Sequence, residues 1–111
     1  MDSKTLSLFH ILFVVPLLYA IYAYRGKLTK KSCAALIILA ILGILYHLSR
    51  TNQKIKEGRK SSVWINLLHI LIIFPLLFII GVNCKEKPRY LFELTLMLTF
   101  AALGYHLYYL K

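Results

Sequence analysis

Four long apolar runs decide what this chain can fold into. At a rise of about 1.5 Å per residue, three of them are long enough as helices to cross a hydrocarbon core of roughly 30 Å. The remaining run is short, and has to borrow the flanking residues Ser32 and Ser49, thin the bilayer locally or stand nearly upright in it. The runs are Leu6–Tyr24, Cys33–Leu48, Val63–Val82 and Tyr90–Leu110, of which the second is the short one.

The composition agrees with a membrane protein. Hydrophobic residues make up 59% of the 111 residues and the mean hydropathy is +0.69, well above the values of soluble domains. Strands of a membrane barrel would be segments of about ten residues with alternating polarity, which these runs are not. The first run is longer than a signal-peptide core, so we expect it to remain as a helix. The sequence therefore predicts an all-α integral membrane four-helix bundle, with residues 1–111 as a single domain.

An internal repeat organises the four runs. A shift of 59 residues places repeat one, 6–51, on repeat two, 65–110, without a gap, and 52–64 form a basic linker. Unrelated apolar helices share leucines by chance, but not two histidines, a proline and a Tyr-His pair in one register, so we infer a duplication. We predict two tandem antiparallel transmembrane hairpins, related by an axis along the membrane normal. The diagnostic identities are His10 with His69, Pro16 with Pro75, Tyr46 with Tyr105 and His47 with His106.

Basic residues are divided equally between the two sides of this topology. The formal net charge is +10, and each side carries seven Lys and Arg, so the positive-inside rule gives no orientation. The termini and linker hold Lys4, Arg50, Lys54, Lys56, Arg59, Lys60 and Lys111, and the hairpin loops hold Arg25, Lys27, Lys30, Lys31, Lys85, Lys87 and Arg89. Such loops suit anionic headgroups, acidic proteins or nucleic acid. The alternative is simple anchoring by snorkelling side chains.

The four histidines are candidates for a functional layer. His10 and His69 lie near the starts of the odd helices and His47 and His106 near the ends of the even ones, so all four are expected at one depth. Three roles are open: hydrogen bonding that fixes the hairpins, handling of protons or ions, and binding of a metal or haem. The interfacial depth and the lack of nearby membrane carboxylates favour the structural role, and we predict no metal and no cofactor.

Prolines and cysteines add weaker signals. Pro16 and Pro75 lie near the middle of the odd runs, where each should kink its helix. Cys33 and Cys84 lie on the loop side, where they are bridged if that side is oxidising and are ordinary apolar fillers otherwise.

The absence of catalytic and ligand-binding motifs limits the classes of function that we expect for this chain. It contains no zinc-ligand spacing, phosphate loop, nucleophile motif or paired carboxylates, so we expect neither an enzyme nor a small-molecule substrate. A transport path needs polar groups at mid-depth. Only Thr95 and Thr99 supply them. We therefore expect a structural membrane protein that contacts neighbouring proteins through its basic loops. The alternative is a small channel or carrier for protons, ions or solutes that uses the helices with His and Pro.

One motif carries a resemblance to a known group. The run from Phe9 to Leu17, FHILFVVPL, returns at 68–76. It resembles small multi-span proteins of nucleocytoplasmic large DNA viruses, particularly those of giant algal viruses such as the chlorella viruses. The resemblance implies a minor capsid-associated component of the virion, embedded in the inner membrane beneath an icosahedral capsid. Its partners would then be other virion proteins.

Overall fold

The chain folds into four long helices. The computed structural model describes residues 3–60, 63–86 and 89–110, and contains no strand in those ranges. Helix α1 consists of the segments Ser3–Phe9, His10–Val14 and Val15–Ala23, α2 is Lys30–Lys56, α3 consists of Val63–Leu68, His69–Ile73 and Phe74–Val82, and α4 is Arg89–Leu110. A short 3-10 helix, Cys84–Glu86, follows α3. All four long helices are sufficiently long and apolar to cross a membrane, which confirms the all-helical class and the four spans by length and composition.

The helices form two compact units. The first unit contains α1 and α4, and the second, Leu28–Glu86, contains α2 and α3. Within each unit the pair is antiparallel, because the start of the odd helix lies beside the end of the even one. The units differ from the sequence repeats, since each takes one helix from repeat one and one from repeat two. The two helices of a predicted hairpin are therefore not the ones that pack together within a unit.

Helix α2 is longer than its apolar run. It continues for two turns beyond Leu48 and reaches 27 residues, or about 40 Å. It ends in a Schellman turn, in which the backbone N–H of Arg59 donates to Lys54 O (2.8 Å) and that of Gly58 to Ile55 O (3.2 Å). Gly58 has φ +77°, which favours glycine. The residues that lengthen the helix beyond Leu48 are polar or basic except Ile55, so the apolar run itself stays short.

Helices α1 and α3, the odd-numbered helices, each contain a π-helical segment, and the two segments lie at equivalent positions of the sequence repeat. His10–Val14 and His69–Ile73 each end just before a proline, and the first carbonyls of these segments accept from Val15 N–H and Phe74 N–H, five residues on. A proline cannot donate to the carbonyl four residues earlier, and a π turn shifts the hydrogen bonds by one residue. Such a shift lets a membrane helix satisfy its carbonyls near a proline. The kink angle at these positions stays a prediction.

Each unit has its own apolar core. In the first unit the buried side chains include Leu18 of α1 and Phe92 of α4. In the second they include Ala40 of α2 and Ile80 of α3. Many large apolar side chains remain exposed on the outer surface, as lipid contact requires; examples are Leu12, Phe13, Leu71, Met97 and Phe100.

A disulfide and a close backbone approach fasten one end of the second unit. Cys33 and Cys84 are bridged, with their Cα atoms 6.1 Å apart, within the usual range for disulfides. One residue before the end of α3, Gly81 lies against α2. A Cβ at Gly81 would be 2.8 Å from Cys33 O and 2.6 Å from Ile37 Cγ1. The absence of a side chain at Gly81 therefore permits this contact.

We expect Gly81→Ala to lower the free energy of unfolding by about 1–3 kcal/mol, because the new methyl group meets the backbone of α2. Gly104→Ala in α4 is the matched control, since a Cβ there meets nothing within 4 Å. That variant should be neutral or up to about 1 kcal/mol more stable through its higher helix propensity. Thermal unfolding in detergent measures both. Equal stability of the two variants would contradict the close approach of α3 to α2.

Candidate functional site

The histidines form two stacked pairs, one within each unit. In the first unit the ring centroids of His10 and His106 are 4.3 Å apart with an interplanar angle of 21°. In the second, His47 and His69 have the same separation and an angle of 15°. Each pair joins an odd helix to an even one, and the repeat relates one pair to the other. The sequence predicted the shared register of these residues, and the structure adds how they are paired.

The odd-helix histidine of each pair binds its own helix. Nδ1 of His10 lies 2.8 Å from Leu6 O, and Nδ1 of His69 lies 2.7 Å from Ile65 O. A carbonyl oxygen only accepts, so Nδ1 carries the hydrogen and donates in both rings. These histidines are also the first residues of the π segments. The bond therefore fixes the ring orientation where the helix changes its hydrogen-bond pattern.

The even-helix histidine of each pair meets a polar side chain across the unit. Nδ1 of His47 donates to Asn66 Oδ1 at 2.9 Å, and the equivalent contact, His106 Nδ1 to Ser7 Oγ, is 3.4 Å. Ser7, Asn66 and His106 are all buried. Asn66 Nδ2 is also buried, and has no hydrogen-bond partner among the residues that the structure describes. The second unit thus has the shorter interhelical hydrogen bond of the two.

Sequence analysis did not single out Ser7 and Asn66. A signal for them exists, since each lies three residues before a histidine and the two positions are equivalent in the repeat. Residues three apart share a helix face. A polar residue one turn before a histidine in an apolar run therefore indicates the side that faces the partner helix.

This geometry is suited to holding helices together. Nearly parallel rings present their faces to each other, so they cannot share a proton through an N–H···N bond or clamp a metal between two nitrogens in this arrangement. In ranges 3–60, 63–86 and 89–110, no group of three or more His, Cys, Asp or Glu side chains is placed to hold a metal ion. The pairs instead provide stacking and hydrogen bonds between α1 and α4 and between α2 and α3.

The polar groups in the middle of α4 bind their own backbone. Thr95 Oγ1 donates to Leu91 O (2.9 Å) and Thr99 Oγ1 to Thr95 O (2.8 Å), and both threonines are buried. Each hydroxyl hydrogen is thereby used within the helix itself.

Most of the predicted basic contact residues are exposed near helix ends. Arg25 donates to Tyr22 O (2.8 Å) and lies over the Tyr22 ring, and Arg89 donates to Glu93 Oε1 (2.7 Å). Lys87 and the side chain of Lys85 lie outside the described residues. The other exposed members are Lys27, Lys30, Lys31, Lys56, Arg59 and Lys60.

Lys54 differs from these residues because it is partly buried at the end of α2. It lies in the last turn of the helix, beyond the apolar run that ends at Leu48. Its side chain lies close enough to Arg50 and Arg59 for their charges to act on it. Arg50 donates to Gln53 Oε1 (2.6 Å), and Arg59 pairs with Glu57 (2.6 Å). The Schellman turn thus gathers three cations around one helix end.

The comparisons with known proteins return no relative. No protein-family model matches the chain, and neither a curated protein nor a solved structure is significantly similar to it. The virus resemblance therefore stays a prediction from the motif alone.

We expect the His47–Asn66 contact to couple α2 and α3 more strongly than the longer His106–Ser7 contact couples α1 and α4. Double-mutant cycles with alanine at each pair measure this coupling as unfolding free energies in detergent. The expected coupling is about 0.5–1.5 kcal/mol for His47–Asn66 and smaller for His106–Ser7, because interhelical hydrogen bonds in membrane proteins average about 0.6 kcal/mol. A larger coupling at His106–Ser7 would contradict the ranking by distance.

Proposed function

We propose that this chain is a non-enzymatic structural protein of a membrane. It crosses the bilayer four times and is anchored at both surfaces by its basic residues. The observation that carries the proposal is the use of polar groups within the helices. The threonines of α4 and the odd-helix histidines donate to their own helix backbone, and the even-helix histidines bind a side chain within their unit. Mid-depth polarity that could conduct a solute is therefore lacking among the described residues.

The virion location is a separate proposal, and only the resemblance of the His-Pro motif supports it. A place in an inner virion membrane would give the basic residues acidic partners on both faces, in capsid proteins and in nucleic acid. Co-fractionation of the purified protein with a large particle, rather than with a cellular membrane, is the observation that decides it.

A small proton or ion carrier is the second candidate. The observation that favours it is the stacking of two titratable rings in each unit, next to a π segment. π segments frequently occur at functional sites in helices. Histidine also changes its charge near neutral pH.

The protein in liposomes should pass no proton or cation current above that of empty vesicles at any pH from 5 to 8. The variants His10→Gln and His69→Gln should behave in the same way and remain folded, because an amide keeps one hydrogen bond of the ring while losing its titration. A pH-dependent dye inside the vesicles gives the readout. A flux in the wild type that either substitution abolishes would reject the structural role in favour of the carrier.

We propose an orientation from the disulfide, because the charges give none. Since disulfides persist in oxidising compartments, the bridged ends of α2 and α3 would lie on the extracytosolic side and the linker between them on the cytosolic side. In a background with Cys33→Ser and Cys84→Ser, we expect Asn52→Cys to react with an impermeant thiol reagent only after the membrane is opened, and Gly26→Cys to react in intact cells. The reverse pattern would contradict this orientation, and labelling of both from one side would contradict the four-span topology.

A further inference from the structure

We propose that Arg50, Lys54 and Arg59 bind the phosphate group of an anionic lipid headgroup at the linker end of the second unit. This inference rests on the proposed function, because it requires the chain to span a bilayer with the linker at its surface. It goes further in naming one site and one ligand class among the fourteen basic residues of the chain.

The local fold builds the site. Arg50 and Lys54 are four residues apart in α2, so they lie on one face of the helix, one turn apart. The chain then reverses at Gly58, and the backbone N–H of Arg59 donates to Lys54 O at 2.8 Å. This hydrogen bond places Arg59, which follows α2 in sequence, beside the last turn of that helix. The three cations are held together by the Schellman turn.

The charge of this segment favours an anion. Residues 50–60 carry five cations and one carboxylate, Glu57, which already accepts a hydrogen bond from Gln53 Nε2 and pairs with Arg59. Partial burial and the nearby charges of Arg50 and Arg59 both make the Lys54 ammonium costly. A bound phosphate would offset both effects. Arginine is suited to this ligand because its planar fork matches phosphate oxygens.

The depth and the side of the membrane favour a lipid over a soluble anion. Arg50 lies about 3 Å and Lys54 about 9 Å beyond Leu48, where the apolar run ends. The headgroup zone is about 5–8 Å thick on each side of the hydrocarbon core, so Arg50 lies within it and Lys54 lies at its outer edge, within reach of a long flexible side chain. We proposed above, from the disulfide, that this end lies on the cytosolic side, whose leaflet is rich in anionic lipids.

Trp64 provides a reporter within the unaltered chain. It is the only tryptophan, it is exposed at the start of α3, and it is the fifth residue after Arg59, a reach of at most about 18 Å. The experiment reconstitutes the full-length protein in phosphatidylcholine vesicles that contain small amounts of spin-labelled lipid. Quenching of Trp64 then compares the affinities for labelled phosphatidic acid and labelled phosphatidylcholine. We expect the wild type to prefer phosphatidic acid about tenfold or more, given the attraction of each basic residue for an anionic surface.

Three variants test whether the site or the overall charge produces this preference. Replacement of Arg50, Lys54 and Arg59 by Gln should reduce it to about twofold or less. The matched control, Gln at Arg25, Lys27 and Lys31, removes the same charge at the other end of the helices and should keep it. Gly58→Ala retains every charge but disfavours the positive φ of the turn, so it should also lose most of the preference. Gly26→Ala, in open space without that constraint, should not.

The outcomes separate this site from the proposed function. Quenching by phosphatidylcholine itself, unchanged in all variants, shows that they are inserted and folded. A wild-type preference that survives Gly58→Ala would overturn the site in favour of diffuse attraction, and a wild type without any preference would overturn it outright. Displacement of the labelled lipid by millimolar inorganic phosphate would identify free phosphate as the ligand and reject the lipid. Release of the protein from vesicles at alkaline pH would instead reject the proposed function.

Discussion

A polar group placed in hydrocarbon has to find its partner within the protein, and this requirement explains the unusual parts of the chain. A proline in each odd helix removes one backbone donor. A π segment precedes this proline, and the histidine at which the segment begins donates from its ring to a carbonyl one turn earlier. The same ring then stacks on the histidine of the partner helix. In each unit, the backbone donor that is lost at a proline is thus linked to a contact between two helices.

The helices could be predicted from the sequence because long apolar runs in a chain this hydrophobic have few other solutions. Their ends were less predictable. The apolar run of α2 stops at Leu48, but the helix follows hydrogen bonding and not hydropathy, so it continues until Gly58 reverses the chain. A glycine eight residues after Arg50 in a polar stretch was the available signal. Hydropathy alone does not contain it.

The pairing of helices could not be predicted from apolar pattern. The odd and even runs are apolar on all sides, so periodicity does not show which face meets which partner. The four histidines were expected at one depth, and depth does not distinguish α1 with α2 from α1 with α4. The residues that identify the partner are Ser7 and Asn66, which lie one turn from a histidine. Ser7 and Asn66 also differ chemically, and so do their units. The second unit has the Asn66 amide, the disulfide and the close approach at Gly81.

The division of each unit between the repeats has a consequence for how such a chain could arise. A single repeat contains one odd and one even helix, yet neither observed histidine pair lies within one repeat. Two separate copies of a repeat would have to meet in the plane of the membrane before any of these contacts formed. Joined in one polypeptide, they meet at a local concentration of about millimolar, whatever the expression level. A duplication of this kind would replace the association of two chains by the folding of one, whose assembly does not depend on its abundance.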